Sequence, residues 1–322
     1  MTDEGARLKD GERDPETRTA TADPARADLL EPQVLAALGG LELVARRVVE
    51  GFIAGLHRSP HRGFSVEFAE HRMYQPGDDL RYIDWRMYGR SDRYYIKQFE
   101  EETNLRAYVL LDVSASMDWS SAPPLLPTKL WYARQLAACL GLLLLRQGDA
   151  AGLIAFAETA RAHVPVHGGR RQWRELLRAL TAVPGGMRTD AGSALRDVAV
   201  RLRRRGLVVL VSDLLVDPAA TRLALRFLRH RGHEVLLFHL LDPGERELPG
   251  FGDARFVDPE TSEELPVSVA ALRDEYRAAV DTALEEWRRE LVPQGIDYVV
   301  VDTSLPMVHA LRAYLRKRER LG

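Results

Sequence analysis

Asp112, Ser114 and Ser116, in the run Asp112-Val113-Ser114-Ala115-Ser116, set one carboxylate and two hydroxyls at alternating positions just after the apolar stretch 107–111. Oxygen donors of mixed charge suit a hard divalent cation, because Mg²⁺ prefers carboxylate, hydroxyl and water to imidazole or thiolate. The triplet alone also matches an Asx or hydroxyl turn, or a pair of hydroxyls capping a helix that starts near Lys129. Two later positions extend it. Thr189, in Gly185-Gly186-Met187-Arg188-Thr189-Asp190, precedes a helical pattern that begins near Ser193, and Asp213 follows the apolar run 207–211. The expected chemistry is binding of Mg²⁺ (or Mn²⁺) by Asp112, Ser114, Ser116, Thr189 and Asp213, with Asp190 as an outer carboxylate or a second cap.

Such residues meet only if the chain brings the ends of distant strands together. From Leu105 onward, apolar runs alternate with amphipathic ones, the pattern of a largely parallel sheet covered on both faces. Strands are predicted at 105–111, 151–156, 161–165, 207–211, 234–240 and 296–301, and helices at 129–146, 171–182, 193–204, 219–231, 269–291 and 306–318. The segment 255–267 reads as a small inserted hairpin. The expected fold is α/β, a doubly wound, mostly parallel six-stranded sheet. In such sheets ligands gather outside the carboxyl ends of the strands where the winding reverses. All five candidate ligands fall at those ends.

Upstream, residues 1–30 carry few large apolar side chains and are expected to form a disordered tail. Residues 31–104 form a helix over 35–56, which Gly39 and Gly40 could interrupt, followed by an aromatic and charged module ending in a strand at 93–99. Residues 105–322 form the α/β domain. In the module, Asp78, Asp79, Arg81, Asp84, Trp85 and Arg86 are read as a stacked, salt-bridged docking or partner surface in preference to a catalytic carboxylate cluster.

At 322 residues with 46% hydrophobic content the chain can bury a full core. A formal charge of −2 argues against a nucleic-acid binder, and Arg201, Arg203, Arg204 and Arg205 read as a solvated helix end. The single cysteine, Cys139, excludes a disulfide framework. The most apolar run, 136–145, is far shorter than the ~20 residues of a membrane helix, so a cytoplasmic protein without membrane insertion is expected. His163 and His167 would not converge on a metal from an extended segment. A Gly-x-Ser-x-Gly elbow and a Gly-x-x-x-x-Gly-Lys-Ser/Thr phosphate loop are both missing, which argues against a serine hydrolase or a nucleotidase. The alternative function is a metal-dependent phosphoesterase using Asp112 and Asp213.

The set Asp112, Ser114, Ser116, Thr189 and Asp213 resembles the metal-ion-dependent adhesion site of von Willebrand factor A domains, themselves Rossmann-like. More specific are Gly63-Phe64-Ser65-Val66-Glu67-Phe68, Tyr74-Gln75-Pro76-Gly77-Asp78-Asp79, Arg81-Tyr82-Ile83-Asp84-Trp85-Arg86 and Lys97-Gln98-Phe99-Glu100-Glu101-Glu102. Together these resemble the bacterial family named domain of unknown function fifty-eight, over residues 35–322. That resemblance implies a von Willebrand factor A-like domain, no catalytic residues, and a protein-binding, adaptor or chaperone-like role beside a MoxR-type AAA+ ATPase or a client. It further implies hydroxyls touching Mg²⁺ directly, Asp112 and Asp213 acting through water, and one coordination position left for a partner carboxylate. Two departures stand out: the transmembrane helices of longer relatives are missing, and Leu214 occupies the place after the last aspartate where adhesion-type domains usually carry glycine.

Overall fold

The computed structural model describes residues 32–37, 40–57, 71–74, 85–91, 93–97 and 105–321, apart from positions 124, 158, 186–190, 203, 216, 249, 251 and 258–263. The first elements are α1 (Pro32–Ala37) and α2 (Leu41–His57). The single helix expected over 35–56 is therefore split. Gly40 opens α2, its carbonyl accepting the N–H groups of Leu43 and Val44. The hairpin pair β1 (His71–Met73) and β2 (Tyr95–Lys97) flanks α3 (Trp85–Ser91), and the Tyr88 and Tyr94 rings stack with centroids 4.5 Å apart.

The main body runs β3 (Arg106–Asp112), α4 (Lys129–Arg146), β4 (Ala150–Phe156), β5 (Ala160–His167), α5 (Gly169–Ala182), α6 (Ala191–Arg201), β6 (Leu207–Ser212), α7 (Pro218–His230) and β7 (Glu234–Leu241). It continues through α8 (Pro243–Glu247), the hairpin β8 (Asp253–Val257) and β9 (Glu264–Ser268), α9 (Val269–Leu291), β10 (Ile296–Asp302) and α10 (Val308–Glu319). Among the described residues a six-stranded sheet has the order β10-β7-β6-β3-β4-β5, parallel throughout except for β5, which runs antiparallel to β4. From β3 the chain continues to β4 on one side and to β6 on the other, so the winding reverses between β3 and β6. This is the crevice where open α/β sheets bind ligands.

Alternation along each strand assigns the two faces. Ala107, Val109 and Leu111 of β3, with Val209 and Val211 of β6 and Phe238 of β7, pack beneath α2, α4, α5 and α10. Leu110, Val208, Leu210 and Leu237 point the other way, toward α6, α7 and α9. Burial on both sides explains why the central strands read as unbroken apolar runs. Helix α4 is the centrepiece of the first face. Thr128 caps it by accepting the Trp131 N–H at 3.2 Å, and Leu136, Leu140 and Leu144 are wholly buried. At ~1.5–3 kcal/mol for each such side chain, this contact is a main source of stability. Cys139 lies within it, free and buried, with its Sγ 4.0 Å from the Ala45 carbonyl of α2. His163 and His167 sit on extended β5, where side chains four residues apart cannot share a metal. Among the described residues, no helix is long and apolar enough to cross a membrane.

Candidate functional site

Strand β3 delivers Asp112 to the carboxyl edge of the sheet, and the next residues turn at once. Asp112 Oδ1 accepts the Ser114 N–H at 3.0 Å, while Oδ2 accepts the Ser212 hydroxyl at 2.6 Å, bridging the ends of β3 and β6. The Val113 N–H donates to the Phe156 carbonyl at 2.9 Å and fastens the turn to β4. Held in this way, the Ser114 and Ser116 hydroxyls lie 3.0 Å apart. Asp112, Ser114 and Ser116 are all buried. A 3₁₀ turn, Ser116–Asp118, follows directly.

Burial, and next the negative charge of Asp213, push the Asp112 carboxyl from its ordinary 3.8 up to about 6, against the opposing hydrogen bonds from Ser212 and Ser114. Asp213 follows β6 by one residue. Its Oδ1 accepts the Leu215 N–H at 3.1 Å, and its Oδ2 accepts a 2.8 Å bond from Lys129 Nζ. Lys129 opens α4 with a completely buried side chain, and its ammonium also donates to Glu245. Burial alone would depress the lysine pKa, but Asp213 and Glu245 more than reverse this and hold it above its usual value. Glu245 is itself positioned by a capping box in which its Oε2 accepts the Asp242 N–H at 3.0 Å. Asp242 in turn accepts the N–H groups of Gly244 at 2.7 Å and Ser121 at 3.1 Å.

Of the residues singled out in the sequence, Asp112, Ser114, Ser116 and Asp213 are brought together at this edge. Thr189 and Asp190 lie outside the described residues. Gly185, the last described residue before them, sits against Leu130 and Asp118, which a Cβ there would meet. Asp78, Asp79, Arg81 and Asp84 also lie outside the described residues. Arg86 falls within α3, and Trp85 is 64% exposed at its start, edge-on to Tyr88 with centroids 6.2 Å apart. Among the described residues no group of three or more His, Cys, Asp or Glu side chains forms a metal cluster.

A family model described as "Protein of unknown function DUF58" matches residues 70–288. The chain belongs to the DUF58 family. It is 33% identical over 299 residues to "Uncharacterized protein Rv1480" of Mycobacterium tuberculosis, covering 92% of this chain and 93% of that one. It is 30% identical over 161 residues to "Uncharacterized protein MAV169" of Mycobacterium avium, covering 49% of this chain and 94% of that one. Solved structures similar to this DUF58 protein include the conserved hypothetical protein BatB from Bacteroides thetaiotaomicron, with a TM-score of 0.43 at 16% identity over 66% of this chain and 98% of the other. An aerotolerance-related membrane protein from Bacteroides fragilis gives a TM-score of 0.43 at 18% identity, again over 66% and 98%.

Four residues of this edge escaped the reading of the DUF58 sequence. Lys129, Ser212, His239 and Glu245 join it from elements far apart in the chain. His239 pairs in register with Ser212, and its Nδ1 lies 2.7 Å from the Tyr298 hydroxyl. Burial lowers its pKa to about 4, so the ring is neutral at pH 7. Only Lys129 left a signal. A cation at the first position of a helix opposes the macrodipole, and here it stands beside an otherwise apolar stripe, which marks a lysine needed for some partner outside its own helix.

Proposed function

We propose that this DUF58 protein is a metal-dependent protein-binding module of the von Willebrand factor A type, acting as an adaptor beside a MoxR-type AAA+ ATPase or its client. The observation that carries the reading is the buried pair of hydroxyls, Ser114 and Ser116, 3.0 Å apart beside the Asp112 carboxylate at the point where the winding reverses. Two hydroxyls facing each other next to a desolvated acid form an all-oxygen donor set, which suits Mg²⁺ or Mn²⁺ and offers nothing to a soft metal. Ser114 and Ser116, joined by Thr189, would hold the ion directly. Asp112 and Asp213, whose oxygens are engaged by Ser114, Ser212, Leu215 and Lys129, would act from one step further out. Bound there, Mg²⁺ would supply an electrophilic centre for a carboxylate oxygen of the partner. Mostly neutral donors favour that role, because they leave the ion's charge uncompensated.

The test is a thermal melt with increasing Mg²⁺, paired with affinity capture from the native host with and without chelator. The wild type is expected to melt higher with Mg²⁺ and to lose its captured ATPase or client when chelated. The Ser114→Ala/Ser116→Ala double variant should show neither response. Equal capture by wild type and double variant, whatever the chelator, rules the reading out.

A further inference from the structure

The proposed metal site has a cation of its own built beside it. Lys129 places an ammonium at the floor of the crevice, 2.8 Å from Asp213 Oδ2 and bonded also to Glu245, with no solvent exposure of its side chain. A lysine at the first position of a helix usually projects into water, and taking it out of water costs several kcal/mol unless it is well paired. Here the chain supplies two carboxylates for one ammonium. One of them, Glu245, is fixed by a capping box; the other, Asp213, is the candidate ligand. Trp119 lies over the assembly, its ring centroid 5.9 Å from Nζ. Asp242, one step outward, is held by backbone N–H groups.

Resting on the metal-binding reading, we infer that Lys129 is a positioning residue that selects how the site behaves toward carboxylates. Its ammonium engages Asp213 Oδ2 and thereby keeps that carboxylate from ligating the ion directly. Its charge also offsets that of Asp213 and Glu245, so the loaded site stays attractive to an incoming anion. Without Lys129, Asp213 and Glu245 would bind a cation more tightly, and the loaded site would attract a partner carboxylate less. The lysine thus exchanges metal affinity for carboxylate affinity. Glu245 sets the balance from the other side, since removing its charge leaves the ammonium less compensated.

This predicts shifts of opposite sign in two constants. Mn²⁺ binding is measured by water-proton relaxation, and acetate is then titrated into the Mn²⁺-loaded protein. In Lys129→Met, Mn²⁺ should bind on the order of tenfold tighter and acetate on the order of tenfold weaker, as expected for one unit charge removed at short range. In Glu245→Gln, which keeps the capping geometry, both should move the opposite way. If Lys129→Met fails to fold, the Glu245→Gln pair of shifts decides alone. Two constants that move together, or that stay still in Glu245→Gln, overturn the role of Lys129 while leaving the metal site standing. A wild-type protein that takes up no Mn²⁺ overturns the metal reading itself, and this role with it.

Discussion

Asp112 is the residue on which acid–base behaviour at the edge turns. Its folded pKa of about 6 lies above the ordinary 3.8, so the folded state binds the proton more readily than the unfolded chain. By linkage, this group's contribution to stability is lost as pH rises from about 4 to about 6 and is then constant. The metal-free wild type should therefore lose stability across that window relative to Asp112→Asn, which keeps an oxygen for the Ser114 N–H but has no proton to release. Urea midpoints for the two proteins at pH 4, 5, 6 and 7 measure the difference; parallel profiles would contradict it. Leu214 allows a second comparison at this scale. It follows Asp213 with φ of 55° although it is not glycine, and its side chain is buried, part of the same apolar cluster as Leu210, Leu225 and Leu237. The left-handed conformation costs a non-glycine residue about 1 kcal/mol, while the apolar contact contributes roughly 2–3 kcal/mol. The buried side chain accounts for leucine where a glycine was expected. Leu214→Gly loses the packing and recovers the strain, whereas Leu214→Ala loses the packing and keeps it. Alanine should thus be the more destabilising by about 1 kcal/mol in chemical denaturation, the reverse of the order in a helix.

At the scale of elements, the central strands β3, β4, β6 and β7 are legible because burial on both faces writes itself as apolar runs, and all of these but β4, which leads straight into β5, are followed by a helix. The range 129–146 was read and observed alike, and so was 269–291. The break before α2 was visible only as a pair of glycines. Within the site, Asp112, Ser114 and Ser116 were legible because they are contiguous. The Lys129–Asp213 pair was not, since it joins residues 84 apart and depends on β3 and β6 lying side by side. That adjacency has its own sequence requirement at the far end of the same two strands. Gly206 precedes β6, and a Cβ there would stand 2.1 Å from the Arg106 backbone carbonyl. Backbone cannot swing aside as a side chain can, so Gly206→Ala should cost about 3 kcal/mol. The substitution is at the amino ends of the strands, away from the Ser114–Ser116 pair. Its thermal shift by saturating Mg²⁺ should accordingly match the wild type's, and a lost shift would mean that strand register, not local geometry, governs the site.

For the whole molecule, the question is whether the helix before the DUF58 match stands apart from the sheet or completes it. The family match begins at residue 70, after α2 has ended. Yet Val44, Val48, Val49 and Phe52 of α2 are buried in the same cluster as Leu136, Cys139 and Leu143 of α4, and Arg146 reaches Glu50 at 3.3 Å. Helix α4 also begins with Lys129, so one rigid rod spans from the α2 contact to the candidate site. Phe52 is 3% exposed, and truncating a buried phenylalanine typically costs ~3–5 kcal/mol, from lost transfer energy and the cavity left behind. If α2 is part of the core, Phe52→Ala should lower a single cooperative transition, followed in parallel by tryptophan fluorescence and far-UV circular dichroism. Trp131 and Trp173, on α4 and α5, would report the same midpoint as the backbone. Were α2 an appended element, the variant would instead show an early, low-amplitude helical loss while the tryptophan signal kept the wild-type midpoint. The shared buried cluster favours the single transition, because Phe52 belongs to the same apolar core as the helix that carries Lys129.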